Sequence, residues 1–162
     1  MKLLFRKLRC LITVSITVFV LSTPLLAQHG ETDDWKKAQA EIKSMFGSVP
    51  VMFTKLPMHV RASSWEWFKS IGNPDAAIPP KYGELIGLAV ASQIPCSYCV
   101  YAHTSMAKML GATDQEIQEA VVKSAEVRHW STILNGNQVS FESFKSDWDD
   151  ILAFVKANSE SK

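Results

Sequence analysis

The chain has 162 residues, 17 Lys and Arg against 16 Asp and Glu, and three cysteines. That length suits one domain around a single core. Near-neutral charge with no basic patch excludes a nucleic-acid-binding surface, and three cysteines are too few for a disulfide scaffold.

The first 27 residues read as a secretory signal peptide. Lys2, Arg6, Lys7 and Arg9 form a basic start, Leu11 to Leu21 an apolar stretch, and Leu25-Leu26-Ala27 a cleavage site. The expectation is export, to the periplasm or outside the cell. The alternative is an uncleaved membrane anchor, since Cys10 to Ala27 just reaches spanning length. Residues 28–162 then form a single domain. It carries thirteen basic against sixteen acidic side chains, a balance of −3, because all four leader charges are basic.

Helical signals dominate the rest of the chain. Asp33 to Phe46 places Trp35, Ala38, Ile42 and Met45/Phe46 on one side, with Gly47 as a stop. Ser48 and Pro50 open a short second helix. His59 to Ile71 forms a third, with Val60, Trp65 and Phe68, ending at the turn cluster Gly72-Asn73-Pro74-Asp75. Pro79-Pro80 introduces Lys81 to Ile94, apolar on most sides and hence central. A cysteine-bearing helix spans Cys96 to Leu110. Thr113 and Glu116 form a capping box opening Asp114 to about Arg128, with His129 to Leu134 continuing it toward Asn135. Phe141 to Ala157 is a last amphipathic helix bearing Phe144, Trp148, Ile151, Leu152 and Val155. Strand-like alternation is nearly absent, so the fold class is all-α, a compact bundle of seven or eight helices.

The chemistry concentrates in Pro95-Cys96-Ser97-Tyr98-Cys99-Val100-Tyr101-Ala102-His103. On a helix, spacings of three and four stack Cys96, Cys99 and His103 on one face. A bridge across so short a loop constrains the unfolded chain by only about 2 kcal/mol, so a purely structural role explains the pair poorly. The helix start favours thiolate over thiol, and by that argument alone Cys96 is the more acidic. His103 is placed to take a thiol proton or to hold a thiolate. Glu84 lies on the preceding apolar helix. Spacing leaves it two readings: an exposed first-turn carboxylate, or a partly buried one with a partner.

Glu84, Cys96, Cys99 and His103 together resemble the carboxymuconolactone decarboxylase superfamily, in particular its alkylhydroperoxidase D type. That type has a glutamate twelve residues before a Cys-x-x-Cys and a histidine four residues after the second cysteine, as here. The likeness covers about residues 45 to 137. It implies an all-helical fold, assembly as a homo-oligomer (trimer or hexamer), and a thiol-dependent peroxidase or disulfide oxidoreductase. It implies Cys99 as the peroxidatic and Cys96 as the resolving thiol, His103 as base or relay, and Glu84 as its partner. Substrates would be a hydroperoxide or a disulfide, an external dithiol would be the reductant, and no cofactor is called for. The chain departs from the better-characterised enzyme at Tyr98, where that enzyme has a second relay histidine; a phenol is a poor base at neutral pH.

Two rivals belong to other classes: lactone chemistry of the decarboxylase branch, whose members generally lack the cysteine pair, and a non-catalytic binding module. A zinc site fails on geometry, since Cys96, Cys99 and His103 on successive turns of one helix do not close a tetrahedron. His129 reads as a helix-end surface residue, and His59 and His29 lack a constellation. The five tryptophans read as core or subunit packing.

Overall fold

The computed structural model describes residues 31–159; the expected leader lies outside them. Seven helices occur among the described residues, with no strand: α1 (Asp33–Phe46), α2 (Val51–Thr54), α3 (Met58–Ile71), α4 (Pro80–Gln93), α5 (Ser97–Met109), α6 (Asp114–Gly136) and α7 (Phe141–Ser159). The all-α expectation holds, and each predicted helix is present within a few residues of its expected ends. Among the described residues the chain divides within α3 into two compact units, one ending at Ser64 and the other beginning at Trp65.

In the first unit, α1 has both ends sealed. The Thr32 side chain accepts the Trp35 backbone N–H, Asp33 and Asp34 occupy the positive end, and Gly47 closes the helix at φ 76°, donating its N–H to the Lys43 carbonyl. Trp35, Ala38 and Ile42, at helical spacing, are buried. The Arg61 guanidinium lies 5.6 Å from the centroid of the Trp35 ring. The same guanidinium donates to the carbonyls of Leu56 (2.8 Å) and Thr54 (2.6 Å), holding the loop after α2.

In the second unit α4 packs against both α5 and α6. Leu88 and Ala91 of α4, Ala107 of α5 and Ser124 of α6 are its buried residues on these helices. Three polar ties join α4 to α6. Lys81 Nζ meets Glu116 Oε1 at 2.7 Å. Gln93 Nε2 donates to the Ser124 carbonyl at 2.6 Å, and Arg128 Nε donates to Gln93 Oε1 at 2.8 Å. The hydrogen bond from Lys81 is the main reason the Glu116 carboxyl sits below its ordinary pKa, and it raises Lys81 reciprocally. Lys108 Nζ bonds Asp114 Oδ1 at 2.7 Å, fastening the end of α5 to the start of α6 and lowering the Asp114 pKa.

The capping box is formed as expected: Glu116 N–H donates to Thr113 Oγ1 (3.1 Å) and Thr113 N–H to Glu116 Oε2 (2.8 Å). From there α6 runs unbroken for 23 residues, so His129 to Leu134 continue it. Two expectations take a more specific form. Helix α4 is central in its packing, but Tyr82, Ile86 and Val90, spaced by four, are about half exposed. Of the five tryptophans, Trp35 and Trp65 are fully buried, whereas Trp67, Trp130 and Trp148 are more than half exposed within the single chain. Apolar periodicity marks a face that avoids water; a lone chain need not cover it.

Candidate active site

The site sits where α4 and α5 face each other. Pro80 sets the start of α4 at its first residue, so Glu84 falls in the second turn. Cys96 is the N-cap of α5, and its sulfur accepts the Cys99 backbone N–H at 3.2 Å. Cys96 and Cys99 are joined as a disulfide, with Cα atoms 5.3 Å apart. One turn further along α5 is His103.

His103 Nδ1 lies 2.7 Å from Glu84 Oε2, across nineteen residues of sequence. Glu84 is therefore the partly buried, partnered carboxylate of the two readings: its side chain is 26% exposed and that of His103 37%. An ionised carboxylate only accepts hydrogen bonds, so this contact puts the ring proton on Nδ1 and leaves the lone pair on Nε2. A ring held that way is suited to take a proton from a neighbour at Nε2. The partly exposed setting leaves the pair reachable from water.

The four expected residues thus appear as two joined pairs: Cys96 with Cys99 at the start of α5, and Glu84 of α4 with His103 of α5. An open cleft of about 700 Å³ flanks α5, and of the four only Cys96 lines it. Its walls, which include Ala91, Pro95, Val100, Tyr101 and Thr104, are mainly apolar. Cys96 therefore borders a cavity that neither Glu84 nor His103 lines. Tyr98, between the two cysteines, is 87% exposed. His129 is exposed with its ring edge-on to Trp130, in keeping with a surface role.

Sequence reasoning missed the cleft and also missed Gly87. Gly87 lies one turn beyond Glu84 on α4, and the His103 ring rests against its backbone. A glycine inside an apolar helix was the available signal.

The carboxymuconolactone decarboxylase family profile matches residues 59–139. The chain belongs to the carboxymuconolactone decarboxylase family. Among solved structures it is similar to the crystal structure of the alkylhydroperoxidase AhpD core from Rhodospirillum rubrum. That likeness has a TM-score of 0.60 and 25% identity, and it covers 68% of this chain and 85% of the other. It is also 33% identical over 64 residues to a Paracoccus denitrificans protein described as uncharacterized protein 4 in cox locus. That match covers 40% of this chain and 58% of the relative, so the chain spans little more than half the length of the curated relative. Glu84, Cys96, Cys99 and His103 all fall inside the family match.

Proposed function

We propose that this family member is a thiol-dependent peroxidase and disulfide oxidoreductase whose nucleophile is Cys99. The observation that carries the reading is the Glu84–His103 contact at 2.7 Å, one helical turn beyond a disulfide at a helix start. The solved AhpD core as a structural neighbour adds support.

In the reduced protein, Nε2 of His103 takes the Cys99 proton while Glu84 stabilises the resulting imidazolium. The thiolate attacks the distal oxygen of a hydroperoxide, the O–O bond breaks, and Cys99 becomes a sulfenic acid. The departing alkoxide takes the proton from His103 and leaves as an alcohol. Cys96 then attacks the Cys99 sulfur and expels water, forming the bridge. An external dithiol restores both thiols and is itself oxidised to a disulfide. The cleft beside Cys96 supports attack at that sulfur, which returns Cys99 as a thiolate next to its base.

Reduced protein should consume one equivalent of peroxide per two thiols, and Cys99→Ser should abolish consumption. A Cys99→Ser variant with undiminished turnover would overturn the scheme. Thiols whose alkylation rate follows that of a free cysteine across pH would favour a binding module instead. In this reading the molecule works as a homo-oligomer outside the cytoplasm. Light scattering tests the first point, and the N-terminal mass of the exported protein tests the second.

A further inference from the structure

We propose that Gly87 is a positioning residue: the space left by its absent side chain is the seat of the His103 ring. A Cβ placed at 87 would lie 2.6 Å from both Nδ1 and Cε1 of His103 and 2.9 Å from Nε2. All three close atoms belong to that one ring. Carbon and ring atoms rest at about 3.5 Å or more, so the ring would have to retreat by about 1 Å. Nδ1 is both among the atoms most crowded and the atom held by Glu84 at 2.7 Å. A displacement of about 1 Å is enough to carry it beyond hydrogen-bond reach.

The placement along α4 joins two functions on one face. Glu84 and Gly87 are three residues apart, so they are neighbours on the helix surface. The carboxylate fixes one ring nitrogen while the bare backbone next to it lets the ring lie close. Glycine is otherwise a poor choice in a helix interior, since it loses more chain entropy on folding than alanine. The same helix supplies its own control. A Cβ at Gly83 would meet nothing within 4 Å.

The inference rests on the relay role proposed for His103, and the test separates the two. Side-chain nitrogen NMR of the bridged protein, in which Cys99 has no proton to give, reads the tautomer of His103 directly, assigned by its loss in His103→Ala. Wild type and Gly83→Ala should show the proton on Nδ1. Gly87→Ala should lose that signature and consume peroxide about a hundredfold more slowly, the usual scale for a catalytic group displaced by 1 Å. In a His103→Ala background, Gly87→Ala should cause no further loss. Should Gly87→Ala alone fail to fold while Gly87→Ala/His103→Ala folds, the clash is confirmed by relief. An unchanged His103 tautomer in Gly87→Ala, or a rate equal to that of Gly83→Ala, would overturn the inference. A wild-type protein inert to peroxide would sink the relay reading alone, with the tautomer still deciding the seat.

Discussion

Helices α4 and α7 are both rich in apolar side chains, and the chain treats them differently. Helix α4 buries Leu88 and Ala91 and is tied to α6 through Lys81 and Gln93. Helix α7 buries none of its nineteen residues. Its stripe of Phe144, Trp148, Ile151, Leu152 and Val155 is 37–57% exposed, with Phe144 and Trp148 stacked on each other. The difference teaches that a helical apolar pattern specifies a face to be covered and leaves open whether the cover comes from the same chain. The exposed Tyr82, Ile86 and Val90 of α4 repeat the lesson on a helix whose other side is buried.

The strongest way to break this contrast is truncation. Leu88→Ala, at a site 1% exposed, should cost about 2–5 kcal/mol by denaturant unfolding. Leu152→Ala should cost less than about 0.5 kcal/mol in dilute, dissociated protein. Equal losses would mean that α7 has an intramolecular cover. Next in size is the effect on assembly. If a second copy covers α7, Trp148→Asp should remove about 2 kcal/mol or more of association free energy, read by light scattering as a shift to the monomer. An unchanged mass would assign the stripe to something else.

The smallest effect concerns the polar tie on α4. Lys81 lowers the Glu116 pKa, so the folded state binds fewer protons there than the unfolded one. The tie is therefore present above the ordinary glutamate value of 4.5 and fades as pH falls through the lower folded value. The raised Lys81 pKa runs the other way: its share is present below 10.5 and lost as pH rises through the higher folded value. Glu116→Gln should flatten the acid limb of stability against pH.

Much of this molecule is readable as a string. Gly47 and the Thr113–Glu116 box mark helix ends because capping is local chemistry, decided within four residues. The extent of α6 past Arg128 is less sharply marked, since His129 to Leu134 carries no breaker before Asn135. The fate of Trp67, Trp130 and Trp148 is not readable, because exposure depends on neighbours that periodicity does not name. At the site, spacing aligns Cys96, Cys99 and His103 on one helix, but it leaves Glu84 with two readings. Choosing between them requires a contact across nineteen residues. Gly87 is opaque for the same reason: its meaning lies in a ring from another helix.

The sulfur of Cys96 is both half of the bridge and the cap of α5. A reduced sulfur can still accept the Cys99 backbone N–H, so opening the bond leaves the helix end capped. Gaining or losing two electrons then asks for no local unfolding. Amide exchange along residues 97–109 should be nearly the same in both redox forms, and turnover should be set by chemistry and encounter rather than by refolding.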